Sequence, residues 1–188
     1  ISFNLIFNKL LKDILFGKNA ESLQKEAQYL QPALFALEIS LYQFWSELGL
    51  DIHYCSGHSI GEYAASCIAK ISNPEDMLPL VHKRGKLMDN LDGEGAMLVC
   101  MCSPKDIEQK IINKIPDIEI GLYNTPVNTV LSGPANLIDQ AQAIADKQKI
   151  QNQKLSVTHA FHSKMLDPMV QPLIRQAENI VYKKARIP

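Results

Sequence analysis

A chain of 188 residues is long enough for one domain, or for one domain carrying a small insertion. Hydrophobic residues make up 46% and charged residues 21%, an ordinary balance for a soluble globular protein. The net charge of −1 removes any broad attraction to nucleic acid or to an anionic membrane, and no run of apolar residues is long enough to form a membrane span.

The four cysteines, Cys55, Cys67, Cys100 and Cys102, form no C-x-x-C pair. Structural zinc is not expected, and a reduced, cytoplasmic setting fits. The first residue is Ile1 rather than Met. From there to Phe16, the residues Phe3, Ile6, Phe7, Leu10, Leu11 and Ile14 share one helical face, with Lys9, Lys12 and Asp13 elsewhere. A signal peptide would show a charged start and a continuous apolar core. This segment reads instead as a surface helix in a chain entered partway through.

A polar segment leads to Pro32, which suits a first helical turn. Leu34, Leu37, Leu41, Phe44, Trp45 and Leu48 then make an apolar stripe at helical spacing, and Gly49 is the expected stop. The stripe predicts a core helix in which Trp45 is packing.

Next comes Gly57-His58-Ser59-Ile60-Gly61, a G-x-S-x-G pattern. Ile52 to Cys55 reads as a short strand before it, and Glu62 to Lys70 as a helix after it. In that context the pattern predicts a nucleophile elbow. The turn is so tight that positions two before and two after the serine must lack bulk, which glycine satisfies. It lifts the Ser59 hydroxyl clear and aims the Ile60 backbone N–H at any oxyanion formed on a substrate carbonyl. The plainer reading of Ser59 is a helix-capping serine.

Asn73-Pro74-Glu75-Asp76 opens another helix, with a cap residue, a first-turn proline and two acids at the positive end of the dipole. Pro79 is awkward inside it, so the regular part is expected to begin later. Arg84 falls on the apolar face seven residues after Met77. A charge there is costly unless paired. It meets either an acid of the protein or an anionic ligand. Lys83 and Lys86 lie off the stripe.

From Gly95 the rhythm changes. Ala96 to Cys102 reads as a strand. Ser103-Pro104-Lys105-Asp106 is a capping box for a helix to Ile115, which Pro116 ends. A strand from Asp117 to Tyr123, a turn over Asn124 to Asn128, a strand from Thr129 to Ser132, a helix from Pro134 to Lys149 and a strand from Gln153 to Val157 follow. The order β-α-β-β-α-β is the ferredoxin-like motif. No chemistry is apparent inside it, and it reads as a subdomain inserted into a larger one. After it come Thr158-His159-Ala160-Phe161-His162-Ser163 and a helix to about Lys184.

A serine hydroxyl needs a base. Of the five histidines, His58 belongs to the elbow, where its side chain points away from the hydroxyl, and His53 and His82 sit in no motif. His159 and His162 remain as candidates.

Five blocks stand in order: Gln31-Pro32-Ala33-Leu34-Phe35-Ala36-Leu37-Glu38, the elbow block, Arg84-Gly85-Lys86-Leu87-Met88, Gly95-Ala96-Met97, and His159-Ala160-Phe161-His162-Ser163. In these the chain resembles the acyltransferase domains of modular polyketide synthases, relatives of the malonyl-CoA:acyl carrier protein transacylases. The match runs from about Gln31 to Pro188.

The resemblance implies an α/β fold, an α/β-hydrolase-like core over residues 1–94 and 159–188 with a ferredoxin-like subdomain over 95–158. It implies that Ser59 carries the acyl group, that His162 is its general base, and that Ile60 supplies a backbone oxyanion donor. Arg84 would hold the free carboxylate of a malonyl-type unit, with His58, Gln31, His159 and Phe161 lining the substrate site. The implied substrate is malonyl-CoA, and the implied acceptor is the phosphopantetheine thiol of an acyl carrier protein. Ketosynthase and other synthase domains would be neighbours. No metal or prosthetic group is implied within the domain. Ile60 and His159-Ala160-Phe161-His162 also resemble domains that select malonyl over methylmalonyl units.

The family begins with a strand and a Gly-Gln-Gly loop that completes the oxyanion hole, and it continues with further strands. Neither segment stands in the 188 residues, which therefore read as the middle of a domain, not competent alone. The rival readings are an α/β-hydrolase-type acyl hydrolase or thioesterase, which has no need of Arg84, and a catalytically silent interaction fragment.

Overall fold

The computed structural model describes residues 11–155, 157 and 159–188. The first ten residues of the expected N-terminal helix, and Ser156 in the expected last strand, lie outside them. The chain divides into two compact units, one of residues 1–90 and 171–188 and one of residues 91–170.

The first unit is helical in its described residues. It contains α1 (Leu11–Phe16), α2 (Ala20–Leu23), α3 (Ala27–Glu47), α4 (Gly61–Ile68), α5 (Pro74–Asp89) and, from Gln171 onward, the end of α8 (Asp167–Ala177). The strand expected at Ile52 to Cys55 does not form. A strand needs a ladder of bonds, and among the described residues this segment makes one backbone bond, from the Cys55 N–H to the Pro188 carbonyl at 3.0 Å.

Two prolines sit deeper in their helices than their sequence context predicts. Helix α3 starts at Ala27, so Pro32 is interior. Helix α5 starts at Pro74 and runs straight through Pro79. The start of α3 explains the first case. Its N-cap residue, Glu26, makes no side-chain cap. Asp89, at the far end of α5, reaches across instead: its carboxylate accepts from Ala27 N (2.8 Å) and Gln28 N (2.9 Å). The helix is thereby nucleated a turn and a half before Pro32.

The two helices touch closely at Gly85. A Cβ there would lie 2.3 Å from the Ala27 carbonyl oxygen, so only glycine permits the approach. The face of α3 that is buried is accordingly Ala27, Gln31, Pro32, Ala33, Phe35, Ala36 and Ile39. This corrects the reading of the apolar stripe as core. Leu37, Leu41, Phe44 and Leu48 are exposed, and Trp45 is 51% exposed with its ring edge-on to Phe44 at 5.5 Å. Periodicity identifies an apolar face without identifying a partner for it. The core is built by Phe35, Ile39, Ala64, Cys67, Met77, Leu78, Leu80 and Val81, with Leu173, Ala177 and Ile180 against it. Helix α3 ends as expected, with Gly49 at φ +88°.

The second unit is a four-stranded antiparallel sheet with β1 (Gly95–Cys100), β2 (Glu119–Thr125), β3 (Asn128–Pro134) and β4 (Asn152–Lys154) in the order β2-β3-β1-β4. Helices α6 (Pro104–Lys110) and α7 (Ala135–Lys147) complete the expected β-α-β-β-α-β order. The serine half of the capping box forms, with the Asp106 N–H donating to Ser103 Oγ at 3.2 Å, and the Ser103 hydroxyl donates in turn to Asp106 Oδ2 at 2.7 Å. Helix α6 is shorter than expected and gives way to a 3₁₀ turn over Ile112–Lys114. The β2–β3 turn is also tighter, since Thr125 pairs with Asn128. Side chains alternate across the sheet. Leu98 and Leu131, paired in the ladder, meet Ile107, Ile111, Ile138 and Ala141 under the helices. Ser132 belongs to the other face, where the segment after His159 crosses. Helix α8 ends at Ala177, well before Lys184. No described helix is long and apolar enough to cross a membrane.

Candidate active site

The elbow is present without a preceding strand. Ser59 has φ +52°, a left-handed conformation that costs a non-glycine residue about 1–2 kcal/mol. It is held by the turn around it: the Gly61 N–H donates to the His58 carbonyl (3.0 Å) and the Glu62 N–H to the Ser59 carbonyl (3.2 Å). Gly57 allows this closure, because a Cβ on it would lie 2.1 Å from Glu62 N. Ile60 precedes α4 in helical conformation, φ −60° and ψ −31°, so its N–H stands at the positive end of that helix.

Arg84 reaches this turn from α5. Its Nη2 donates to Ser59 Oγ at 3.4 Å, and its Nη1 donates to Gln31 Oε1 at 2.6 Å. Gln31 is 7% exposed, and its Nε2 faces Met88 Sδ at 3.0 Å. Among the described residues no carboxylate lies within 4 Å of the guanidinium. Of the two alternatives for a charge on this face, the internal ion pair is not what the fold supplies. Burial pushes the Arg84 pKa down, with the Tyr63 hydroxyl acting in the opposite direction. Ser59, from the turn before α4, Arg84, from α5, and Gln31, from α3, thus come together.

Other candidates are placed differently. His58 is exposed and lines a second cleft of about 310 Å³ with Glu38, Ser56, Gly57 and Ile68. His82 is bonded through Nδ1 to the Gln28 carbonyl at 2.9 Å, and His53 is exposed. In the second unit, the His159 and Phe161 rings lie 5.9 Å apart at 31°, and His162 is exposed with φ +60°. This loop is held by the sheet. Ser132 Oγ donates to the Phe161 carbonyl (2.6 Å), Ser163 Oγ donates to the Ala160 carbonyl (2.8 Å), and the Lys164 N–H donates to Glu119 Oε2 (2.7 Å). The ferredoxin-like unit therefore carries the scaffold of the His162 loop, a role its own sequence did not announce.

Glu38 is the residue that the sequence reading passed over. It lies two turns from Gln31 on the same face of α3. Its Oε1 is 3.7 Å from the position a Cβ on Gly61 would take, and its Oε2 is buried with no hydrogen-bond partner among the described residues. Burial pushes its pKa up. Like Arg84, Glu38 is a charge on an apolar helix face. Among the described residues no cluster of His, Cys, Asp or Glu has the arrangement of a metal site.

Comparison with known proteins places the chain as a whole. The chain is 33% identical to the PKS-NRPS hybrid synthetase ATPKS of Aspergillus niger over 192 residues, covering 99% of this chain and 10% of that one. It is 32% identical to polyketide synthase GfsA of Streptomyces halstedii, covering 91% of this chain and 2% of that one. It spans a tenth or less of these relatives. Among solved structures, the acyltransferase domain from the second module of the salinomycin polyketide synthase superimposes with a TM-score of 0.90 at 29% identity, covering 98% of this chain and 44% of that one. The malonyl CoA-acyl carrier protein transacylase of Clostridium perfringens does so with a TM-score of 0.87 at 27% identity, covering 97% and 59%. The sequence profile described as acyl transferase domain matches residues 8–188, and with that match the chain belongs to the acyl transferase domain family.

Proposed function

We propose that this chain is the catalytic part of an acyltransferase that takes a malonyl-type unit from CoA onto Ser59 and passes it to the phosphopantetheine thiol of an acyl carrier protein. The observation that carries this reading is the Arg84 guanidinium, braced by a neutral amide, without a carboxylate among the described residues, and 3.4 Å from the Ser59 hydroxyl. A malonyl group has its free carboxylate two bonds beyond the carbonyl that Ser59 attacks. A cation this close to Oγ matches that short span.

In the first step Ser59 Oγ bonds to the thioester carbonyl carbon and loses its proton to His162, and the oxyanion is met by the Ile60 N–H. The C–S bond breaks and CoA leaves as the thiol, with the proton returned by His162. In the second step the carrier thiol gives its proton to His162 and attacks the acyl-serine ester, and Ser59 recovers a proton as it leaves. His162, His159 and Phe161 enter by the resemblance of their motif, His58 as further lining of the substrate site, and Gln31 through its hydrogen bond to Arg84. The likeness to the malonyl CoA-acyl carrier protein transacylase of Clostridium perfringens supports an acyl carrier protein as partner, and the relatives named as polyketide synthases support ketosynthase and other synthase domains as neighbours.

Mass spectrometry of the enzyme mixed with malonyl-CoA tests the reading. A stable malonyl ester on the Ser59 peptide, lost in Ser59→Ala and discharged by carrier protein, is the expected result. Free malonate released as fast as CoA would show a hydrolase, and absence of both would show a silent module.

A further inference from the structure

We infer that Gln31 sets substrate selectivity by holding Arg84 with a neutral acceptor, so that the incoming acyl group supplies a negative charge that no described side chain supplies at the guanidinium. The inference rests on the carboxylate reading of Arg84 proposed above. It assigns Gln31 a positioning role through Arg84 rather than a contact with substrate.

Arginine only donates, so the atom of Gln31 that faces Nη1 at 2.6 Å is the carbonyl oxygen. The amide nitrogen is then turned to Met88 Sδ, a weak acceptor. The amide is buried, and both of its ends are engaged by α5. It therefore has one orientation, and it fixes the guanidinium plane with Nη2 turned to Ser59 Oγ.

The mount for this pair is rigid. Asp89 bonds the Ala27 and Gln28 N–H groups, His82 bonds the Gln28 carbonyl, and Gly85 touches Ala27. Gln31 is thus set one turn along α3 from a three-point clamp on α5. A carboxylate at position 31 would have nearly the same shape and would accept the same hydrogen bond. It would differ in one respect, by completing an ion pair with Arg84 and cancelling the charge that a malonyl carboxylate needs.

The test uses Gln31→Glu and Gln31→Met in the intact enzyme, with steady-state loading from malonyl-CoA and from acetyl-CoA. Gln31→Glu is expected to lower malonyl kcat/KM by about tenfold or more, mainly through KM, and to lower acetyl loading far less. The malonyl-to-acetyl ratio should recover as pH falls and the new carboxylate is protonated, a response that a structural defect would not show. Gln31→Met, which keeps volume and removes the acceptor, is expected to lower malonyl loading without that pH response. Equal losses for both substrates in Gln31→Glu, or an unchanged ratio at all pH values, would overturn the inference. Arg84→Ala separates the two levels. If it retains malonyl selectivity, the carboxylate reading itself fails. If it loses selectivity while Gln31→Glu keeps it, only the role of Gln31 is wrong.

Discussion

His82 Nδ1 lies 2.9 Å from the carbonyl of Gln28, the one helical acceptor that Pro32 leaves without its N–H partner. A proline inside a helix removes the bond to the carbonyl four residues back. Here a side chain from α5 replaces it, and a break in one helix becomes a bond between two. His82→Ala should destabilise the fold by about 1 kcal/mol, the usual worth of such a bond. Pro32→Ala restores an N–H, so it should recover part of that loss in the His82→Ala background. Urea unfolding of the four proteins gives the coupling, and strict additivity would show that the two features are unrelated.

Asp89 caps a helix to which it does not belong. Asp89→Ala leaves two N–H groups of α3 without acceptors and should cost about 1–2 kcal/mol. Asp89→Asn, with a single acceptor oxygen, should lie between. Because Gln31 sits one turn further along α3, malonyl loading should fall more than acetyl loading in Asp89→Ala. Parallel losses would show that the cap supports the fold alone.

Glu38 makes stability depend on pH. Its pKa in the fold is raised above the ordinary carboxyl value by burial. Below the ordinary value both states hold the proton. As pH rises past it, the unfolded chain ionises first while the folded chain keeps its proton. The folded state then binds more protons, so this group lowers stability as pH rises through the window between the two values. Glu38→Gln should flatten the decline there. Unfolding curves for both proteins across that range provide the check, and identical slopes would remove Glu38 as the cause.

Ser59 and His162 are expected to act as one unit. Ser59→Ala should abolish the acyl-enzyme, His162→Ala should slow transfer by orders of magnitude, and the double variant should be little worse than either. Transfer rates that multiply would contradict the shared role.

Phe161 is expected to narrow the space for an α-methyl group, giving malonyl over methylmalonyl by about 10–200-fold. Phe161→Ser should erode that preference in a direct competition between the two CoA esters. Replacing Ser132, whose hydroxyl holds the Phe161 carbonyl at 2.6 Å, should weaken it too. A ratio near one in the unaltered enzyme would dismiss the idea.

What was legible in the 188 residues was local. The glycines of the elbow, the Ser103–Asp106 capping box, Gly49 at its positive φ and the β-α-β-β-α-β order each follow from a few neighbouring residues and their allowed backbone angles. What needed the tertiary structure was pairwise. Pro32 is interior to α3 because Asp89, 62 residues away from Ala27, starts that helix early. The stripe from Leu37 to Leu48 has helical period yet is exposed, since periodicity names a face and not its partner. Ile52 to Cys55 has strand composition without a ladder to join. Arg84 and Glu38 both read as charges on apolar helix faces. Only the fold decided that one is braced by a neutral amide beside Ser59 and the other has a buried oxygen with no partner among the described residues. A hydrogen bond or an ion pair is a property of two positions brought within about 3 Å, and spacing along the chain carries that information only within a turn or two.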